Sequence, residues 1–246
     1  MKFFNRNTAE SFYDFSNLAR DIHSHILPGL DDGSPDVETS IELIKSLSAV
    51  GINSFICTPH IIGDMYRNTP DTIHTALDVL KKACLENGLK IQLSAAAEYM
   101  LDDYFIDLLR KKEPLLTLTN NYILTELSYA AIPDNLEQIS FEININNYHP
   151  LLAHPERYFY YHRNYDAFFR LKDLGFLLQV NLLSLTGYYG TPAAKAANFI
   201  FKNDLVDFVG TDLHNFNHLK VLTDNRSREI FYKVLGDKIY NKFENP

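Results

Sequence analysis

From residue 20 onward the chain alternates short apolar runs with longer stretches of helical periodicity. The candidate strands lie at 20–22, 54–57, 90–94, 122–125, 150–153, 176–180 and 206–209. Their starts fall about 26–36 residues apart. One strand, loop and crossover helix take roughly 30 residues or more, so this spacing predicts successive βα units around a parallel sheet. The intervening segments carry helix signals. Ser34-Pro35-Asp36 offers a capping side chain before a proline at the first helical position, and Gly51 closes that helix. Thr69-Pro70-Asp71 repeats the device and Asn87-Gly88 ends the segment. Asp134 with Glu137 reads as a capping box, and Gly175 stops the segment holding Phe168, Phe169, Leu171 and Leu174.

No Pro-, Gly- or Ser-rich linker divides residues 20–246. One domain is therefore expected there, a barrel of seven βα units in preference to an open doubly wound sheet. Residues 1–19 read as an N-terminal extension. Its Phe3, Phe4, Phe12, Tyr13 and Phe15 suit docking on the domain or on another subunit, and the sequence names neither that choice nor an oligomeric state. A 246-residue chain with 46% hydrophobic residues supplies a full core.

The net charge of −8 argues against nucleic-acid binding, which relies on a basic surface to displace counterions. Cys57 and Cys84 form no disulfide framework, and the N-terminus has no apolar signal region. No run approaches the roughly 20 apolar residues of a membrane span, so no membrane insertion is expected and the protein reads as cytoplasmic.

Candidate chemistry lies where the strands end. Asp21-Ile22-His23-Ser24-His25 closes the first run, and two His one residue apart on extended backbone point to the same side. Alone, an H-x-H pair is equally a pair of surface histidines. The later strands change that weighing. His60 follows the second, Glu98 the third, Glu126 the fourth, His154 the fifth, and Asp212 with His214 the seventh. In βα barrels the active site is built from residues at the C-terminal ends of several strands.

Adding Asp32 from Leu30-Asp31-Asp32-Gly33 gives five His and four carboxylates as metal ligands. Asp31 fits an Asp-Gly turn. One catalytic zinc takes about three protein ligands, so this set implies a cluster of two or three ions. Mixed imidazole and carboxylate ligation suits Mn, Fe, Zn or Co. Such ions would outweigh the local carboxylates, attract phosphate, and hold a hydroxide for in-line attack on phosphorus. Arg157, three residues beyond His154, is placed to clamp phosphate oxygens; its alternative is a surface ion pair. Tyr158-Phe159-Tyr160-Tyr161 and Tyr188-Tyr189 offer an aromatic rim or ordinary packing. His74, His149, His162 and His218 are read as having no metal role. A cysteine-dependent phosphatase is excluded, because neither Cys57 nor Cys84 stands in a C-x5-R motif.

These residues resemble the PHP (polymerase and histidinol phosphatase) metallohydrolases, specifically the bacterial tyrosine-protein phosphatases of capsular and exopolysaccharide synthesis. The pieces are DIHSHILPGLDDG at 21–33, TPH at 58–60, AEYM at 97–100, LTELSY at 124–129, AHPERY at 153–158, QVN at 179–181 and TDLHN at 211–215. The DDG and HPERY pieces mark this branch. The resemblance implies a distorted (βα)7 TIM-like barrel and three metal sites: His23, His25, Glu98 and Asp212; Glu98, Glu126 and His154; Asp32, His60 and His214.

It also implies Mn as the first choice of metal, with Mg a further possibility. The implied substrate is a phosphotyrosine protein, a bacterial tyrosine autokinase. The activity would be phosphotyrosine hydrolysis by metal-activated hydroxide, with Arg157 on the phosphate and His25 or His214 as proton donor. The runner-up is another PHP phosphoesterase acting on histidinol phosphate, a sugar phosphate or a phosphodiester. A catalytically silent metal-binding scaffold is the reading outside enzymes. The chain departs from the family after His60, where Ile61-Ile62-Gly63-Asp64 replaces basic residues, and after TDLHN, where it offers His218 and Lys220.

Overall fold

The alternation of strand and helix patterns becomes a mixed α/β fold with parallel sheets. The computed structural model describes residues 12–243. Its strands are β1 (Ser54–Cys57), β2 (His60–Ile61), β3 (Gln92–Ala95), β4 (Glu98–Met100), β5 (Tyr122–Glu126), β6 (His149–Ala153), β7 (Leu177–Asn181) and β8 (Phe208–Gly210). The helices are α1 (Val37–Ala49), α2 (Pro70–Glu86), α3 (Asp103–Lys111), α4 (Leu136–Ile145), α5 (Asp166–Asp173), α6 (Leu182–Leu185), α7 (Thr191–Lys202), α8 (Phe216–Thr223) and α9 (Asn225–Leu235). All pairings between strands are parallel. Six strands run in the order β2-β4-β5-β6-β7-β8, and β1 pairs with β3 in a separate two-stranded sheet.

This differs from seven equal strands in two places. The expected second and third strands, β1 and β3, are each followed by a further short strand, β2 and β4, beyond breaks at Thr58-Pro59 and Ala96-Ala97. Pro59 has no N–H to give the ladder, and only the bonds Ala96 N to Cys57 O and Glu98 N to Pro59 O carry the pairing across. The expected first strand, 20–22, is an extended segment with single bridges, Asp21 to Phe55 on one side and Ser24 to Leu213 on the other. Its polar side chains compete for the backbone. The Asp21 carboxylate accepts from Thr211 N and Thr211 Oγ1.

The helices pack by their apolar faces. In α2, Ile73, Ala76, Leu77, Leu80 and Cys84 are buried at helical spacing. Its cap is as expected, with Thr69 and Thr72 forming a reciprocal capping box and Pro70 in the first turn. The α1 cap is Asp36, whose carboxylate accepts from Thr39 N, while Ser34 bonds to Ser40. The capping box expected at Asp134 and Glu137 does not form. Asn135 stands at that position without a side-chain cap bond.

Tyr13 and Phe15 are fully buried and meet Phe231 of α9 edge-on. Tyr13 N bonds to Arg228 O, and the Arg228 guanidinium donates back to Tyr13 O. Phe3 and Phe4 lie outside the described residues. Cys57 and Cys84 are buried, and burial raises both thiol pKa values, so they pack rather than react. Among the described residues, no helix is long and apolar enough to cross a membrane.

Candidate active site

The ends of the parallel strands bring the expected side chains to one place. Each of the nine belongs to at least one group of donor atoms lying within 4.8 Å of one another. His23 Nε2 and His25 Nε2 face Glu98 Oε2 at 3.2 and 3.4 Å, and both lie 3.4 Å from Asp212 Oδ1. His60 Nδ1 stands 2.9 Å from Glu126 Oε1 and 3.2 Å from Glu98 Oε2. The third group is His25, Asp32, His60 and His214, with Asp32 Oδ1 3.6 Å from both His60 Nε2 and His214 Nε2.

The sharing differs from the three sets implied by resemblance. His60 faces two groups at once, one through each ring nitrogen. His154 groups with His23 and Asp212 rather than with Glu126, while its Nε2 lies 3.0 Å from Glu98 Oε1. Glu98 is thus the carboxylate around which most of the imidazoles converge.

Local backbone explains how these side chains reach inward. His154 and Asp212 have φ of 37° and 50°, left-handed conformations that non-glycine residues rarely adopt. Both stand just beyond a strand, where the turn swings the side chain over the strand ends. Such conformations persist where surrounding contacts over-determine them, and they concentrate at functional sites. Gly33 is required for a different reason. A Cβ there would lie 2.1 Å from the His25 carbonyl oxygen, so the DDG turn packs directly on the residue it helps to hold.

The electrostatics fit cations. Two buried atoms that face each other, His60 Nδ1 and Glu126 Oε1, have no hydrogen-bond partner, and neither has His154 Nδ1. Buried polar atoms are ordinarily paired, and lone pairs converging from carboxylates and imidazoles are what divalent ions satisfy. Burial, seconded by the Arg157 charge, pushes His154 down to about 4, leaving it neutral. The His214 imidazole 3.6 Å away, against the cost of burial, holds Asp32 down to about 2. For His60, burial disfavours the charged ring, yet Glu98 and Glu126 carry its pKa up to about 9. The residues present therefore suit a cluster of hard to borderline divalent ions.

Above the cluster opens a cleft of about 470 Å³. Its floor includes His60, Glu126, His154, Asp212 and His214, and its walls include Tyr66, Tyr129 and Tyr189. Arg157 lines it too. Its Nη1 donates to Asp212 Oδ2 at 2.7 Å, and its guanidinium lies over the Tyr189 ring at 4.1 Å. The Tyr66 ring stacks on His60 with 12° between the planes. His25 does not line the cleft. It is fully buried, with Nδ1 on Asp31 and Nε2 in the cluster.

The family model for capsular polysaccharide synthesis proteins, CpsB/CapC, matches residues 19–243. The chain belongs to this family. It is 30% identical over 195 residues to the tyrosine-protein phosphatase YwqE of Bacillus subtilis, covering 79% of this chain and 77% of that protein. With the tyrosine-protein phosphatase CpsB of Streptococcus pneumoniae it shares 29% identity over 208 residues, 80% and 83% of the two chains. In three dimensions it matches a chain from the crystal structures of YwqE and CpsB, described as metal-dependent tyrosine phosphatases. That match has a TM-score of 0.78 at 29% identity, over 87% of this chain and 85% of the other. A histidinol phosphate phosphatase from Lactococcus lactis aligns with a TM-score of 0.52 at 13% identity, over 87% and 94%, a likeness of fold alone.

Several family motif residues have tasks that sequence reasoning did not assign. Asp31 closes the Asp-Gly turn through Gly33 N and also accepts from His25 Nδ1 at 2.7 Å and His60 N at 3.0 Å. Gln179 Oε1 accepts from His23 Nδ1 at 2.7 Å, and Asn181 Nδ2 donates to Asp212 Oδ2 at 2.6 Å. These contacts fix ring tautomers and carboxylate orientation, as outer partners of metal ligands do. Of the tyrosines proposed for a rim, Tyr158 and Tyr161 are buried packing residues, whereas Tyr189 reaches the cleft. His74 and His149 are exposed, away from the cluster. His162 bonds to the Glu156 carbonyl. His218 borders the cleft, its Nδ1 3.0 Å from the Asp212 carbonyl oxygen.

Proposed function

We propose that this protein is a metal-dependent protein-tyrosine phosphatase, acting in the cytoplasm on a tyrosine-phosphorylated protein of capsule or exopolysaccharide synthesis, its autokinase. The observation that carries the reading is one cleft with an imidazole–carboxylate floor, an arginine and tyrosine walls. The donors His23, His25, Glu98, His154 and Asp212, then His60, Glu98 and Glu126, then His25, Asp32, His60 and His214 would hold two or three divalent ions, Mn first among Fe, Zn, Co and Mg. The segment 20–25, bridging Phe55 and Leu213, is the element through which the sheets would complete a distorted (βα)7 barrel.

When bound, divalent ions supply a water-derived nucleophile at neutral pH and positive charge for the phosphoryl oxygens. The remaining work belongs to the chain. Arg157 spends one N–H on Asp212 and has further donors in its planar fork for phosphate oxygens. Tyr66, Tyr129 and Tyr189 offer ring faces and edges to a substrate ring, and aromatic pairs of this kind contribute roughly 0.5–1.5 kcal/mol beyond burial. A tyrosinate leaving group, with an ordinary pKa of about 10, needs little protonation. Since both His25 nitrogens are engaged away from the cleft, proton donation to the departing oxygen falls to an imidazole that lines it, His214 in the first place, with His218 beside it.

Purified protein loaded with Mn should release phosphate from a phosphotyrosine peptide faster than from a phosphoserine peptide or histidinol phosphate, and a chelator should stop it. If histidinol phosphate wins by orders of magnitude, the specificity is misassigned. If protein carrying tightly held ions hydrolyses none of the three, the scaffold reading replaces it.

A further inference from the structure

A second cavity, of about 440 Å³, lies beside the catalytic cleft and is lined by Tyr188, Asn217, Lys220, Val221, Asp224 and Ser227. The partition between the two is a pair of touching rings. Tyr188 lies edge-on to His218 at 5.1 Å and to Tyr189 at 5.0 Å; His218 and Tyr189 face the cleft and Tyr188 faces the cavity. The cavity and the cleft therefore share the loop after α6 and the first turns of α8 as a common wall.

The geometry points to this cavity as the subsite for the peptide chain flanking the phosphotyrosine, preferring an acidic residue two or three positions from it. This rests on the phosphatase reading above. A phosphotyrosine seated in the cleft must send its backbone over the rim, and extended chain advances about 3.3–3.6 Å per residue. Two residues thus span the Tyr188–His218 partition. Beyond it the chain meets apolar surface on Tyr188 and Val221 and the Asn217 side-chain amide.

Lys220 is the single cation lining this cavity among the described residues, and it is exposed. Asp224 does not mirror it. Its carboxylate caps α9, accepting from Arg226 N and Ser227 N, where the helix N-terminus offsets its charge. The structure also places the two basic candidates after TDLHN differently: His218 at the cleft, Lys220 at the neighbouring cavity.

The test compares kcat/KM of the Mn-loaded full chain for two phosphotyrosine peptides, differing only in Glu or Lys within three residues of the phosphotyrosine on both sides. Each is taken as a ratio to p-nitrophenyl phosphate, which has no flanking chain. The wild type should favour the acidic peptide by about two- to fivefold, mainly through KM, the size of an exposed charge pair. In Lys220→Glu the preference should invert, and in Lys220→Ala it should vanish; added salt should weaken it in the wild type. An acidic-to-basic ratio identical in all three proteins overturns the proposal and sends the peptide across another part of the rim. Failure of the wild type to hydrolyse any of the three substrates would instead sink the phosphatase reading, and this subsite with it.

Discussion

Asp31 belongs to none of the donor groups, yet replacing it by Asn should weaken metal binding. The side chain is inaccessible to solvent and accepts three hydrogen bonds: His25 Nδ1–H and His60 N–H at Oδ2, Gly33 N–H at Oδ1. An Asn of the same shape has one acceptor oxygen. With that oxygen toward His25 and His60, its NH₂ opposes the Gly33 N–H; flipped, it opposes the other two donors. Either way a buried donor is left unpaired at about 1–3 kcal/mol, and the charge that holds His25 in the Nδ1–H tautomer is gone. His25 belongs to two of the donor groups, so a ring free to carry its proton on Nε2 weakens both. Outer partners of metal ligands are worth about 10–100-fold in affinity, or roughly 1.4–2.7 kcal/mol. Equilibrium dialysis against buffered Mn measures this directly, with circular dichroism in chelator as the check on fold. A folded Asp31→Asn protein that binds Mn within about twofold of the wild type would refute the reasoning.

Three other outcomes are expected. His60→Ala, Glu98→Ala and Asp212→Ala should each lower phosphate release by orders of magnitude while near-UV circular dichroism stays native; near-normal turnover in all three would end the metal mechanism. Arg157→Lys keeps the charge but loses the fork shared by Asp212 and the cleft, so kcat/KM should fall about tenfold or more, and no change would remove Arg157 from phosphate binding. Glu156 is wholly buried, and burial pushes its pKa up to about 7 against the bonds from Ser184 and Asn181. Between its ordinary value near 4.5 and about 7, the folded protein keeps a proton that the unfolded chain has released. Stability contributed at this site therefore falls as pH rises through that window and is level above it. Glu156→Gln removes the dependence, so its Tm relative to wild type should climb between pH 5 and 8; a constant difference would contradict the assignment.

The strand positions were legible because apolar runs between helices have few other uses. The runs at 54–57 and 122–125 fall on β1 and β5, with β5 one residue longer. The run at 20–22 is absent as a strand because Asp21 spends its carboxylate on the backbone and hydroxyl of Thr211, 190 residues away. A tertiary contact of that kind has no local signal. Asp134-x-x-Glu137 failed similarly: the pattern fits a capping box, but the chain turns one residue later, at Asn135.

The ligands themselves share one rule, a polar side chain just beyond an apolar strand, and that rule is visible in one dimension. Their supports obey none, since Gln179 meets His23 across 156 residues. Once placed, however, these supports specify more than position. Asp212 is an acceptor and draws the Asn181 Nδ2–H toward its Oδ2 at 2.6 Å. Asn181 Oδ1 then faces Gln179 Nε2 at 2.9 Å, and Gln179 Oε1 faces His23 Nδ1 at 2.7 Å. Each donor leaves only an acceptor for the next contact, so the direction set by one carboxylate runs through two amides to an imidazole. It requires the His23 proton on Nδ1 and leaves the Nε2 lone pair among Glu98, Asp212 and His25. Reversing either amide would set like against like at two contacts in a buried site, the costliest place for an unpaired polar group. The charge of Asp212 thereby fixes the tautomer of a second ligand with which it shares a donor group.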